Sequence, residues 1–254
     1  SAVEAITRKN VGNYWTSTET YEALKVYICM DFDGLKAQNS EIVGWIYGPN
    51  SNIDYPVVRG TDNDYYLYHS YTGALNQSGT IFMDTVCEVD LSQDNTILYG
   101  HHMNNGGMFA SLEEYRKEDY LLQHPVMYYY TPDETYVLEV FSMFVTDGDS
   151  DVYAFNFGTD DEYRSFLNTM RSRSDHDVAI DVDADDHIMT LSTCAYDFDN
   201  ARYVVLCKVE PIQEAAAYLQ TIGEDIAEVK VTTNSSSAAS AAEEDSQQAE
   251  IIAA

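Results

Sequence analysis

The run His187-Ile-Met-Thr-Leu-Ser-Thr-Cys-Ala-Tyr-Asp-Phe-Asp-Asn-Ala-Arg-Tyr-Val-Val-Leu-Cys207 decides how the rest of the chain is read. His187 to Leu191 is apolar and strand-like, and it delivers Cys194 where the apolar run stops. A polar loop, Ala195 to Asn200, follows, and Arg202 opens a second strand-like run from Tyr203 to Val209. Apolar runs of this length on either side of a polar turn predict two adjacent strands, which hold a thiol and a guanidinium at neighbouring ends. A nearby cation lowers the pKa of a thiol, and an acyl intermediate needs donors for its oxyanion, so the pair has the chemistry of a thiol enzyme.

Such an enzyme needs a base, and Asn95-Thr-Ile-Leu-Tyr-Gly-His-His-Met103 supplies one at the end of another short apolar run. A cysteine with a histidine far away in sequence is expected of a thiol enzyme, because strands bring the two together in space. Here His101 precedes Cys194 by 93 positions. That order, and the absence of any Cys-Gly-Ser-Cys-Trp stretch, argues against a papain-like protease. His102 competes with His101 for the role: strand alternation would send them to opposite faces, and parity alone does not say which faces the thiol.

Thr190-Leu-Ser-Thr-Cys194 matches the TLxTC motif of sortases, Tyr99-Gly100-His101 matches the segment that carries their histidine, and Arg202 stands where their arginine does. Over residues 20–211 the chain resembles a class B sortase, with Asn39 to Ile46, Tyr55-Pro-Val-Val58 and a long spacer before the last two strands as supporting detail. The resemblance implies a mainly β fold with α additions, an eight-stranded barrel with an N-terminal helix and a helix between strands six and seven. It implies transpeptidation: cleavage of an LPxTG- or NPxTN-like sorting signal of a surface protein and transfer of the acyl group to a peptidoglycan or pilin amine. Cys194 would be the nucleophile, His101 the acid and base, and Arg202 the donor to the substrate carbonyl and oxyanion, with Thr193 and Ser192 adding local hydrogen bonds to the substrate. No cofactor and no metal belong to that reading. Some class B relatives carry an acid directly after the cysteine, where this chain has Ala195. The family implies a place at the extracellular face of a Gram-positive membrane, held by an N-terminal anchor; the chain starts at Ser1, and the anchor is expected to have been removed. A pilin polymerase is disfavoured by the lack of an Asp-Pro-aromatic lid, and an inactive peptide-binding barrel by the intact Cys/His/Arg set.

Composition agrees with one catalytic domain and appendages: an extension over 1–19, the domain over 20–211 and an acidic Ser/Ala-rich tail over 212–254. Hydrophobic residues make up 45% and tyrosine occurs 21 times, which suits a sheet-rich core. The formal charge is −30, and the tail accounts for only eight acids against Lys230, so the folded body is itself strongly acidic. Such a surface excludes nucleic acid as a partner, since phosphate contacts require clustered Lys and Arg. Cys29, Cys87, Cys194 and Cys207 are too scattered for a disulfide framework or a CxxC metal site. If Cys194 stays free, at most one pair remains among the others. No run of 18 apolar residues is present.

Elsewhere, Ser17 to Gln38 predicts a helix, Glu41 to Ile46 and Ile53 to Arg59 two strands, with Pro56 suited to an edge or bulge. Gly79 to Met83 and Thr96 to Tyr99 are the next strands, Met108 to Leu122 a helix stopped by Pro125, and Val126 to Tyr130 and Tyr136 to Val145 a hairpin across Thr131-Pro-Asp-Glu134. Residues 159–173 form a helix with Thr159 as N-cap, in the segment that walls the substrate groove in the family. Asp181-Val-Asp-Ala-Asp-Asp186 has the acids of a calcium loop but lacks its glycine and its closing glutamate, and reads as a solvated acidic turn. His69, His124, His176 and His187 are read as structural or exposed, Asp197 and Asp199 as loop acids that serve solubility first and a supporting part in the site second, and Ala215 to Val231 as an amphipathic stretch before a disordered tail.

Overall fold

The computed structural model describes residues 30–212. Among them eight strands run in chain order as β1 (Ile42–Tyr47), β2 (Asp54–Val58), β3 (Ile81–Met83), β4 (Asn95–Tyr99), β5 (Val126–Tyr130), β6 (Thr135–Asp147), β7 (His187–Cys194) and β8 (Ala201–Pro211). They close into a barrel in the order β1-β2-β3-β4-β7-β8-β6-β5. The β2/β3 and β4/β7 pairs are parallel and the others antiparallel. Residues 41–212 form one compact unit.

The period of two in the decisive stretch explains where its side chains go. Met189 and Leu191 of β7 join the barrel core, as do Tyr203, Val205, Cys207 and Val209 of β8. The outer side of β6 is covered by α3 (Asp160–Arg173), which buries Tyr163, Phe166, Leu167 and Met170 on one face. Thr159 caps this helix by accepting from Glu162 N at 3.3 Å. Ser142 of β6 donates to the carbonyl of Met170 at 2.8 Å, and the Arg171 guanidinium lies over the Phe141 ring. The fold class, the strand number and the helix between β6 and β7 are as expected.

Two local expectations need correction, and a third is described only in part. The helix expected over 108–122 is two pieces, a 3-10 helix over Ala110–Arg116 and α2 (Glu118–Gln123), broken at the extended Lys117. His176 is the cause on the acceptor side: its Nε2 donates to the carbonyls of Tyr115 and Arg116, the groups a continuing helix would use. Pro56 is at no free edge, because the barrel is closed; it pairs with Trp45, and the β2–β3 ladder begins only at Val57, so the missing donor interrupts nothing there. The bulge lies instead in β1, between Ile42 and Gly44. Of the helix expected over 17–38, the described residues hold α1 (Phe32–Gln38), with Asp31 accepting from Gly34 N at 2.9 Å; the rest, like Ala215 to Val231 and the tail, lies outside them.

Cys87 and Cys207 are buried, unpaired thiols in the core. Burial pushes Cys87 up to about 11 and Cys207 higher still, so both behave as small apolar groups. Cys29 lies outside the described residues. In the acidic turn, Asp183 accepts from Arg164 Nε at 2.7 Å and Asp186 lies 3.3 Å from Lys208 Nζ.

One core-flanking carboxyl gives a prediction. Glu139 of β6 is 4% exposed, and burial, then Glu210, push its pKa up to about 7 against the opposing pull of Lys208, with Asp186 adding to the push. Lys208 is its cross-strand partner on β8. A carboxyl raised from 4.5 to about 7 binds its proton more tightly in the fold, so the associated stability is whole below about pH 4.5 and is lost as pH rises through about 7. Glu139→Gln should therefore melt above the parent at pH 8.5, by up to about 3 kcal/mol. The gap should close at pH 4.5, and a gap independent of pH would refute the assignment.

Candidate active site

Because Met189 and Leu191 point into the core, alternation sends Ser192 and Cys194 outward and Thr193 inward. Thr193 is 2% exposed and its buried Oγ1 has no hydrogen-bond partner, so it does not join the other expected site residues on the outer face. On β8 the same rule turns Arg202 outward, directly opposite Cys194. Ala195 N donates to Ala201 O at 2.9 Å, so Ala195 and Ala201 are the hydrogen-bonded pair. Antiparallel pairs alternate, which makes Cys194 and Arg202 a non-hydrogen-bonded pair, the kind whose side chains lie closest. Both are half-buried, and one Arg202 nitrogen donates to the Ala201 carbonyl at 3.0 Å.

The histidines arrive from β4. This strand runs parallel to β7 with Tyr99 beside Ser192, and Gly100 N donates to Ser192 O at 3.1 Å, so both strands end at one rim. A Cβ on Gly100 would run into Ile81 and the Phe109 ring, which requires glycine where the chain leaves the strand. Because β4 ends at Tyr99, His101 and His102 lie in the loop, and their partners rather than strand parity separate them. His101 donates from Nε2 to the carbonyl of Leu67 at 2.7 Å, with the Tyr68 ring 6.3 Å away. A carbonyl only accepts, so the neutral ring keeps Nδ1 as its basic nitrogen. His102 donates from Nδ1 to the carbonyl of Cys194 itself at 3.0 Å, with Glu113 at 3.6 Å and the Tyr196 ring at 5.4 Å.

Sequence reasoning did not find the polar groups beneath this rim. A short 3-10 helix, Asp151–Tyr153, precedes α3, and Tyr153 sets its hydroxyl 2.9 Å from Ser192 Oγ. Arg202 and Cys194 both act electrostatically on the Tyr153 phenol, whose pKa burial raises. The part of the β6–β7 connection that reaches Ser192 is thus this turn. Asn95 at the start of β4 fixes it: fully buried, its amide donates to Val152 O at 3.1 Å and Ala154 O at 2.9 Å and accepts from Thr190 Oγ1 at 2.9 Å. Asn95 N also donates to Phe155 O. The Tyr99 ring lies tilted beside that of Tyr153, centroids 5.9 Å apart, and its hydroxyl donates to Asp84 at 2.8 Å. Asp197, a loop acid expected to serve solubility first, accepts from Arg116 at 2.6 Å. Among the described residues no group of three or more His, Cys, Asp or Glu is placed to hold a metal ion.

A family model described as Sortase domain matches residues 46–210. Sortase B of Listeria monocytogenes is 33% identical over 177 residues, which cover 69% of this chain and 72% of that protein. The structure of the Staphylococcus aureus sortase B–substrate complex matches with a TM-score of 0.70 at 29% identity, over 80% of this chain and 94% of its own. A sortase B complexed with triglycine matches at 0.69 and 32% identity, over 79% and 96%.

Proposed function

The chain belongs to the sortase family and is a cysteine transpeptidase of its class B, and from that premise we propose how its residues divide the reaction. The Cys194 thiolate attacks the carbonyl of a sorting-signal peptide bond. The C–N bond breaks as His101 protonates the leaving amine, which leaves a thioester on Cys194. An acceptor amine then attacks the thioester carbonyl, His101 takes its proton, and the thiolate leaves. Arg202 donates to the oxyanion in both steps, and Ser192 and Tyr153 line the approach.

The observation that carries this reading is the register of Cys194 against Arg202. It sets a thiol and a forked cationic donor side by side on the outer face. The main-chain N–H after the nucleophile is engaged by Ala201, which leaves the guanidinium as the charged donor beside the sulfur. A relative bound to substrate and another bound to triglycine support a peptide and an amine as the two partners. The sorting signal is of LPxTG or NPxTN type, the acceptor is a peptidoglycan amine, and the enzyme works at the outer face of a Gram-positive membrane, tethered by a segment N-terminal to the catalytic domain. Among the described residues no helix is long and apolar enough to cross a membrane.

A panel of quenched fluorescent pentapeptides of both signal types, with and without triglycine or a diaminopimelate peptide, tests this reading. Cleavage should require Cys194, and the acyl product should shift from acid to amide when acceptor is added. Equal cleavage by Cys194→Ala would refute it, and acceptor-independent product would reduce the enzyme to a hydrolase.

A further inference from the structure

The carbonyl of Cys194 lies outside the sheet ladder. In a non-hydrogen-bonded pair it points away from β8 toward the β4 side, where β4 has already ended at Tyr99. His102 meets it there. In the middle of the loop that follows, Asp197 accepts from Arg116 at 2.6 Å, and Arg116 also donates to Glu113 at 3.1 Å, the acid that approaches His102 at 3.6 Å. The start and the middle of the loop after the cysteine therefore both lead to one 3-10 helix, Ala110–Arg116, the first through His102 beside Glu113 and the second through Arg116. That helix is itself held: His176 engages its last two carbonyls, and the Arg116 guanidinium lies 4.6 Å over the Tyr203 ring.

We propose that His102 is a positioning residue for this sortase: with the Arg116–Asp197 bond it latches the loop after Cys194 and so fixes the backbone from which the nucleophilic sulfur projects. The inference rests on Cys194 being the nucleophile. It gives the two adjacent histidines different tasks, since His101 handles protons and His102 holds a main-chain carbonyl. The groups on the latch, Glu113, Arg116, Asp197 and Tyr196, touch the loop or His102 and need no contact with substrate. Misplacing an attacking atom by a fraction of an ångström lowers the chemical step more than it lowers substrate binding.

The test compares peptide cleavage, and hydrogen exchange of the amides of residues 195–201, in the parent chain, His102→Leu, His102→Asn, His102→Gln, Asp197→Ala and His101→Asn. His102→Leu should lower kcat about tenfold, the size of one hydrogen bond, with KM changed by less than about twofold, and should speed exchange in the loop. Asparagine, whose amide nitrogen takes the place of Nδ1, should restore both readouts, whereas glutamine, one bond longer, should not. Asp197→Ala should speed exchange from the middle of the loop, and it keeps the proposal open to refutation should His102→Leu fail to fold. His101→Asn should abolish cleavage with exchange unchanged. The latch is overturned if His102→Leu equals the parent in both readouts, or if asparagine is as inactive as leucine while exchange stays normal, which would make His102 itself the proton carrier. A parent chain that cleaves no peptide overturns the catalytic reading instead, and the exchange measurements still decide the latch.

Discussion

Replacing Arg202 by lysine should lower kcat for peptide cleavage about 10²- to 10³-fold and leave the melting temperature where it was. The charge survives this substitution, so any loss reports the geometry of the fork. Arginine has five N–H donors in a fixed plane. One nitrogen is committed to the Ala201 carbonyl at 3.0 Å, which pins the group, and the others remain directed from a position directly across from Cys194. A lysine ammonium has no second nitrogen with which to hold Ala201 and meet an oxyanion together. Because the neighbouring amide of Ala195 is engaged by Ala201, no main-chain donor next to the sulfur stands in for it. Alkylation of Cys194 by iodoacetamide, which builds no oxyanion, separates the two roles a cation can have. An unchanged alkylation rate with a collapsed kcat assigns Arg202 to the oxyanion, whereas parallel losses would assign it to the thiolate.

The second large effect is on stability. Asn95→Asp changes one atom and should destabilise the fold by about 3 kcal/mol or more. The Asn95 amide nitrogen is the donor to both Val152 O and Ala154 O, and its side chain is fully buried. An aspartate there presents an acceptor to two carbonyls and, if ionised, a charge without a partner. For a body of this size the melting temperature should fall by roughly 10 °C. The same lesion frees the turn that carries Tyr153, so KM for peptide should rise in the folded fraction, measured well below the melting point. A variant with normal stability and normal KM would show that the knot around Asn95 is incidental.

What was legible in the sequence follows from how each contact is encoded. Cys194, Arg202 and His101 were visible because each stands at the end of an apolar run, and strand ends are where a pattern of apolar and polar residues changes. The barrel was legible for the same reason, down to α3 and its Thr159 cap. The contacts of His102 and Asn95 were not, because both reach main-chain carbonyls, of residues 92, 57 and 59 positions away, and a carbonyl has no identity in sequence. Asn95 reads only as the polar residue before a strand. Asp197 could not be singled out from Asp199, because a loop acid and a paired acid look alike until Arg116, 81 positions distant, is placed beside it. Thr193 fell on the inner face by parity, which a motif read as a block conceals.

The parallel β4–β7 ladder also orders events in time. Asn95 pairs with Ile188, so this seam joins segments far apart along the chain. Pairing at that separation is slow, because the intervening chain must be gathered before any contact rewards it. During synthesis the His101 end of the site exists long before the strand that bears the thiol. Sealing the seam is what brings the end of β4 and its two histidines to the rim where Cys194 and Arg202 already face each other across β7 and β8. Until that seam closes, the thiol and guanidinium of β7 and β8 stand without the histidines that follow β4.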